Sequence, residues 1–159
     1  MRNKPAKAFL NRMRDGEQMK EIKVAAERGN LQKVLDFVEG EMKQNPDCSH
    51  KDLLQIHMVI DEIFGNIASY AYDDGVGDVA VMVDYDGTQG NMILVFSDEG
   101  KPYNPLQKED PDVTLPARER SIGGLGIFMV KNTMDEIAYE NRDGKNILTM
   151  KKQMGGNYV

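Results

Sequence analysis

The stretch that decides the fold runs from Leu53 to Asp73 and reads LLQIHMVIDEIFGNIASYAYD. At about 3.6 residues per turn, its apolar side chains fall along one side of a helix, as expected for a segment that packs on a core. These apolar positions are Leu53, Ile56, Ile60, Ile63, Phe64, Ile67 and Ala71. We therefore predict a long amphipathic helix around which the rest of the chain folds.

The opposite side of this helix carries a line of polar residues, Gln55, Glu62, Asn66, Ser69 and Asp73. Glu62 and Asn66 are four residues apart, so their side chains lie one above the other on the helix surface. A carboxylate next to an amide oxygen can orient a water molecule and hold magnesium, which prefers oxygen ligands. For an isolated pair at this spacing a solvated helix face is the commoner explanation, so the choice depends on the rest of the chain.

Composition limits the class of protein. The 159 residues are enough for one domain with a buried core, and no stretch is long and apolar enough to span a membrane. The basic N-terminus lacks the apolar segment of a signal peptide. The single cysteine, Cys48, excludes an internal disulfide and a cysteine-based zinc site. A net charge of −6 argues against broad binding to nucleic acid but not against one local nucleotide pocket. We expect a cytoplasmic protein.

Hydrophobic periodicity and turn residues predict the other elements. Alternation predicts a strand over residues 19–26, and Asn30 is placed to cap the helix that follows. Ser49 is placed to cap the central helix in a capping-box pattern with Asp52. Two strands, a helix near Gly126 and two closing strands come next, in the order β-α-α-β-β-loop-α-β-β. This order predicts an α+β fold, a two-layer sandwich of a mixed, mostly antiparallel sheet with the helices on one face.

The chain divides into three predicted parts. Residues 1–17 form a basic arm, residues 18–153 form the domain, and residues 154–159 form a loose tail that contains glycine. Within the domain, residues 104–122 lack a clear period. A segment of this length inside a compact domain is commonly functional or mobile, so we interpret it as a functional loop, with a disordered insertion as the alternative.

Two further motifs carry chemistry. Asp98 and Gly100 follow a predicted central strand. An aspartate there can accept a hydrogen bond from an exocyclic amine such as that of adenine, and a glycine lets a flat ring approach the backbone. Gly123, Gly124 and Gly126 precede a helix, and N–H groups at a helix N-terminus favour a phosphate chain. Each motif alone also has an ordinary explanation, a turn for the first and a flexible hinge for the second.

In this order, the three motifs resemble those of the GHKL ATPase superfamily, whose Bergerat-type ATP-binding domains occur in gyrase, histidine kinases and mismatch-repair proteins. The resemblance covers roughly residues 19–152. It is strongest to the small bacterial serine-protein kinase anti-sigma factors. It is carried by the segments DEIFGNIASYAY, SDEGKPYNP and SIGGLGIFMVKNTMDEIAYENRDGKNILTMKK.

The resemblance implies a role for each residue of the first two motifs. Glu62 would be the general base that polarises the attacking hydroxyl or water, and Asn66 would ligate magnesium. Asp98 would bind the adenine amine, with Gly100 beside the ring. Thr149, on the closing strand, would complete the adenine contact, either directly or through a water molecule.

The loop and the glycines after it receive roles by the same resemblance. Residues 104–122 would form the ATP lid, and Gly123, Gly124 and Gly126 would serve the phosphates and the hinge of the lid. Two departures from the family pattern affect the choice of partner. Tyr70 stands where relatives often have histidine, and the lid contains acidic side chains that would repel phosphate, Glu109, Asp110 and Asp112.

The function implied by the resemblance is that of a serine/threonine protein kinase that uses ATP and magnesium in a bacterial partner-switching pathway. Its expected partners are an anti-anti-sigma protein of the STAS type as the substrate and a sigma factor. An open sheet face is compatible with a homodimer, and contact with nucleic acid or a membrane is not expected. Two alternatives stay open, a nucleotide-gated protein-binding module without kinase activity and a slow ATPase.

Overall fold

The computed structural model describes five stretches of the chain, residues 19–86, 90–107, 109–112, 114–116 and 125–155. They form the predicted α+β fold, in which a five-stranded sheet is covered on one face by three helices. Within these stretches, no helix has both the length and the apolar composition needed to cross a membrane.

The sheet is antiparallel throughout. Its strands are β1 (Lys20–Ala25), β2 (Asp78–Asp86), β3 (Asn91–Asp98), β4 (Glu136–Arg142) and β5 (Lys145–Gln153), and their spatial order is β1-β2-β3-β5-β4. Every neighbouring pair runs antiparallel, so the prediction of a mixed sheet is corrected on this point. Two pairs, β2–β3 and β4–β5, are consecutive along the chain, and antiparallel neighbours of this kind need only a short connection.

Three helices form the second layer, α1 (Leu31–Met42), α2 (His50–Tyr70) and α3 (Leu125–Thr133). The predicted central helix is α2, and its buried apolar residues are Ile56, Val59, Ile60, Ile63 and Phe64. They pack with inward-facing residues of β2, β3 and β5 in one core. The polar line of α2 therefore faces away from the centre of this core, as the helical period requires.

The two predicted helix caps have different outcomes. Ser49 Oγ accepts from the Asp52 N–H at 3.0 Å, and the Asp52 carboxylate accepts from the Ser49 N–H at 2.9 Å, which completes the predicted capping box. Asn30 precedes α1 but makes no capping hydrogen bond, and its Nδ2 donates instead to the Ala25 carbonyl at 2.9 Å. The prediction for Asn30 is wrong because its backbone is already helical, whereas a capping residue is normally extended.

The ordered domain continues past Gln153, where the sequence analysis places a loose tail. Met154 is buried, and its N–H donates to the Gly90 carbonyl at 2.9 Å. Gly155 donates its N–H to the buried Asp52 carboxylate at 3.0 Å. Met154 and Gly155 therefore contact the domain, while the predicted arm and the rest of the tail lie outside the described residues.

Candidate functional site

A pocket opens between the C-terminal half of α2 and the adjacent ends of β3 and β5. Its volume is about 450 Å³, which lies within the range of about 300–1,000 Å³ that is usual for small-molecule sites. The walls are largely apolar and include Ile63, Ile67, Phe96 and Leu148. Tyr70 and Tyr103 line its exposed part. The predicted residues Asn66 and Asp98 also line this pocket, so the fold brings two of the three motifs together.

Asp98 lies at the end of β3, and one of its two carboxylate oxygens accepts hydrogen bonds from the protein. Oδ1 accepts from the Gly100 N–H at 2.9 Å and from Asn146 Nδ2 at 3.0 Å. The residue is 7% exposed, and Oδ2 has no hydrogen-bond partner among the described residues. Because Asp98 lines the pocket, this second oxygen is available to accept a hydrogen bond from a ligand, and a hydrogen bond to a charged group is stronger than one between neutral groups.

Gly100 has a packing role within the protein. A Cβ at this position would lie 2.3 Å from the Ala71 carbonyl oxygen and 2.6 Å from the Ala71 Cβ. The following residue, Lys101, donates its N–H to the same carbonyl at 2.8 Å. The close packing of the loop after β3 on the end of α2 therefore requires a glycine here, and the predicted place of Gly100 beside an adenine ring stays a prediction.

Thr149 lies on the face of the sheet away from the three helices and from the pocket. In the β3–β5 register it is opposite Val95, which belongs to a small cluster separate from the helix-side core. Leu148 and Met150, on either side of Thr149, belong to the helix-side core. Because successive residues of a strand point to opposite faces, the prediction that Thr149 contacts adenine is wrong.

Asn146 is the residue of β5 that reaches Asp98, and it is not among the site residues predicted from the sequence. It stands opposite Asp98 in the register and lines the pocket together with Leu148. The alternation of the strand contained the signal. If Leu148 and Met150 face the core, residue 146 faces the same way and residue 149 does not.

Glu62 and Asn66 lie together on α2, as their spacing predicts. Asn66 Nδ2 donates to Glu62 Oε1 at 3.3 Å, so the Asn66 carbonyl oxygen is left for another partner. No group of three or more His, Cys, Asp or Glu side chains that could hold a metal occurs in the part of the chain that the structure describes. Oxygen atoms are the ligands that magnesium prefers, and the Asn66 amide oxygen is one that this pair leaves available. The predicted magnesium role of Asn66 stays a prediction.

The first turn of α3 lies against Glu62 because of Gly126. A Cβ at Gly126 would lie 2.0 Å from Glu62 Cδ and 2.2 Å from Glu62 Oε2. The carboxylate thus rests beside the helix end whose unpaired N–H groups attract negative charge. Gly123 and Gly124 lie outside the described residues, so their predicted contacts with phosphate stay predictions, and so does the hinge role of Gly126.

The predicted lid is described only at residues 104–107, 109–112 and 114–116. In this part, Lys131 of α3 forms an ion pair with Asp110 at 3.0 Å. One of the acidic side chains that would repel phosphate is therefore paired with a lysine. This pairing removes part of the electrostatic objection to a phosphate site next to this segment.

Tyr72 follows the end of α2 and connects it to the start of β2 and to the loop after β3. Its hydroxyl donates to the Asp78 carbonyl at 2.6 Å and accepts from the Glu99 N–H at 2.9 Å. Burial raises the pKa of the Tyr72 phenol, so the hydroxyl keeps the proton that it donates. The loop after β3 is therefore attached to α2 at two points, through Tyr72 and through Ala71.

Comparisons with known proteins agree with this geometry. The profile of the histidine kinase-like ATPase domain matches residues 24–152. The serine/threonine-protein kinase BtrW of Bordetella bronchiseptica is 30% identical over 90 residues, which cover 57% of this chain and 63% of BtrW. The serine-protein kinase RsbW of Bacillus thuringiensis is 24% identical over 107 residues, which cover 65% of this chain and 66% of RsbW. The chain thus spans a little less than two thirds of the length of each relative.

A solved structure shares the fold. The crystal structure of the RsbU and RsbW domains of a Mycobacterium tuberculosis protein superposes with a TM-score of 0.58. The sequence identity is 16%, and the match covers 85% of this chain and 32% of that one. At this identity the likeness speaks for the fold alone, and it confirms the predicted Bergerat-type architecture.

Proposed function

Because the chain belongs to the histidine kinase-like ATPase domain family, we propose that it binds ATP with magnesium and transfers the terminal phosphoryl group to a serine or threonine of a partner protein. One observation carries this proposal. One pocket is lined both by Asp98, a buried carboxylate with one oxygen available to a donor, and by Asn66, whose amide is hydrogen-bonded to Glu62 on the same helix. The relatives BtrW and RsbW are named as protein kinases, which supports the same activity.

The adenine end of the proposed site consists of Asp98 and the apolar walls. Asp98 Oδ2 would accept a hydrogen bond from the 6-amino group, while Phe96 and Ile67 would contact the faces of the ring. Guanine carries a carbonyl oxygen in place of this amine. That oxygen and the Asp98 carboxylate are both hydrogen-bond acceptors with negative charge, so they would repel each other. The site should therefore select ATP over GTP.

The phosphate end consists of Asn66, Glu62 and the first turn of α3. Magnesium supplies positive charge that stabilises the phosphates and the transition state when it is bound. Asn66 would be its protein ligand, through the carbonyl oxygen that Glu62 does not use. Glu62 would take the proton of the attacking hydroxyl as that oxygen bonds to the γ-phosphorus and the bond from the γ-phosphorus to the β,γ-bridging oxygen of ADP breaks.

The proposed partners follow from the motif resemblance. We propose a small anti-anti-sigma protein of the STAS type as the phosphoryl acceptor and a sigma factor as the second partner, in the cytoplasm of a bacterium, with a homodimer as the assembly. Two other functions would use the same pocket, a binding module whose partner affinity depends on ATP and a slow ATPase. The three functions differ in the fate of the γ-phosphate, which is transferred to a partner, released as inorganic phosphate or retained on ATP. The experiment therefore follows this group.

The experiment measures both ATP affinity and transfer of labelled γ-phosphate to a partner that copurifies with the protein. Glu62→Gln keeps an oxygen that can accept from Asn66, so ATP affinity should be nearly unchanged while transfer slows about 10²–10⁴-fold. Asn66→Ala should weaken ATP binding and make it insensitive to added magnesium. Ser69→Ala, on the same polar line and bonded to Arg28, is the matched control and should change neither quantity.

The outcomes separate the candidates. Label on a partner protein supports the kinase, and label released only as inorganic phosphate supports the slow ATPase. ATP binding with neither product supports the gated module. If Glu62→Gln transfers label at the parental rate, Glu62 is not the general base and the Glu62–Asn66 pair is a solvated helix face.

A further inference from the structure

Asn146 directs both hydrogens of its amide group at the inner wall of the pocket. Its Nδ2 donates to Asp98 Oδ1 at 3.0 Å and to the Lys101 carbonyl at 2.9 Å, with the Gly100 carbonyl at 3.3 Å. The residue is 7% exposed. This nitrogen therefore faces only acceptors among the described residues, one of them the proposed adenine-binding carboxylate.

The oxygen of the same amide faces only donors. Asn146 Oδ1 accepts from the Tyr103 N–H at 3.3 Å, from Asn141 Nδ2 at 3.2 Å and from the Tyr139 hydroxyl. Reversing the amide would turn its oxygen towards a carboxylate and two carbonyls, and its NH₂ group towards these donors. Since an amide has distinct donor and acceptor ends, its surroundings allow one orientation only.

We propose that Asn146 is the positioning residue of the adenine site. By occupying Oδ1 of Asp98 it leaves Oδ2 as the oxygen presented to the ligand. By holding the Lys101 carbonyl and the Tyr103 N–H it also fixes the loop whose side chains line the outer wall. Selection of a 6-amino purine over a 6-oxo purine then depends on Asn146 as well as on Asp98. This inference rests on the proposed function, since it requires an adenine nucleotide as the ligand.

The decisive variant is Asn146→Asp, which keeps the size of the side chain and replaces the donor with a carboxylate. In this variant two carboxyl groups would lie at the 3.0 Å distance that separates Asn146 Nδ2 from Asp98 Oδ1. They cannot both ionise without strong repulsion, so the pair takes up a proton as the pH falls. The proton restores a donor between the two groups. The other groups that face this position are the Tyr139 hydroxyl, the Asn141 amide and backbone atoms. The Lys101 ammonium is paired with Asp73 at 2.8 Å.

The measurement is the affinity for ATP and for GTP between pH 8 and about pH 5.5, expressed as the ratio of variant to parent at each pH. This ratio cancels the ionisation of the nucleotide itself. Asn146→Asp should bind ATP about ten- to a hundredfold more weakly at pH 8 and recover most of that loss at low pH. Asn146→Ala should be weaker throughout the range and should discriminate less between ATP and GTP.

The control is Asn141→Ala, because Asn141 donates to the same Oδ1 at 3.2 Å and forms no hydrogen bond with Asp98 or the loop within the described residues. Its ATP affinity should stay within about twofold of the parent, less than the loss of one neutral hydrogen bond. Recovery of Asn146→Asp at low pH also shows that this variant is folded. The inference would be overturned if the loss of ATP affinity in Asn146→Asp did not change with pH. It would also be overturned if Asn146→Ala discriminated between ATP and GTP as well as the parent protein does.

The failure of the proposed function has a different signature. A parent protein that binds no adenine nucleotide overturns both the proposed function and this inference. A parent that binds ATP, loses affinity with Asp98→Ala, and is unaffected by Asn146→Ala overturns the inference alone.

Discussion

Replacing Gly126 with alanine should disable phosphoryl transfer without weakening the fold. The new methyl group would lie 2.0 Å from Glu62 Cδ, whereas carbon atoms in contact are about 3.5–4.0 Å apart. The Glu62 carboxylate must therefore move by about 1.5 Å or more. It can do so because the colliding atoms are the end of a flexible side chain, but the move gives up its contact with Asn66 at 3.3 Å.

The magnitude follows from this displacement. A misplacement of about 1 Å at a reacting group can cost about 10²-fold in rate, so we expect label transfer to fall by roughly a hundredfold. The effect on folding has the opposite sign, because alanine is favoured over glycine inside a helix by about 0.5–1 kcal/mol. The midpoint of thermal unfolding should therefore stay the same or rise while the rate falls.

The assay combines label transfer, ATP titration and thermal unfolding, with Gly65→Ala as the matched control. Gly65 is a helical glycine of α2 with no heavy atom within 4 Å of a built Cβ, so its substitution should change stability alone. Combining Gly126→Ala with Glu62→Ala removes the colliding atoms, and the two losses should not add. The reasoning would be refuted if Gly126→Ala transferred label at the rate of the parent protein. It would also be refuted if the loss of rate in the double variant equalled the sum of the two single losses in free energy.

Three other substitutions test separate parts of the structure. Asp98→Ala should weaken ATP binding about ten- to a hundredfold, because a hydrogen bond to a charged group is worth about 1.5–3 kcal/mol; calorimetric titration measures this loss, and equal parental affinity for GTP would contradict the adenine site. Gly100→Ala should lower the free energy of unfolding by about 1–3 kcal/mol, because the Ala71 backbone cannot yield; an unchanged urea midpoint would contradict this. Burial alone would raise the pKa of Asp52, but hydrogen bonds, first that from Gly155, lower it overall. The stability that Asp52 contributes is present above the ordinary pKa of aspartate and is lost as the pH falls through the lowered pKa. Asp52→Asn should therefore lose less stability in acid than the parent protein. An unchanged dependence of the free energy of unfolding on pH below neutrality would contradict this.

Features that depend on neighbours in sequence could be predicted. The buried stripe of α2 and the Ser49 capping box involve residues three or four positions apart, and helix geometry alone places such residues together. The alternation that identified β1 and β2 is equally local. Glu62 and Asn66 belong to the same class, which is why their contact was expected and is present.

Features that depend on distant parts of the chain could not be predicted in the same way. Gly100 is required by the end of a helix about 30 positions earlier, and nothing near it in sequence indicates the Ala71 carbonyl. Asparagine is a residue type that often caps helices, yet the backbone of Asn30 is helical and its side chain donates a hydrogen bond to Ala25 of β1. Thr149 was assigned from the family resemblance and not from strand alternation, and the register with β3 decides against it.

The position of β5 in the sheet ties ligand binding to the completion of folding. β5 pairs locally with β4 but is inserted beside β3, so that Asn146 meets Asp98 across 48 positions of sequence. Such long-range pairing is slow to form, because the entropy of closing the loop is lost before the contact is gained. The pocket between α2, β3 and β5 is complete only after this step. The recovery of ATP binding during refolding should therefore follow the β3–β5 docking event, and the nucleotide would stabilise only chains that have passed it.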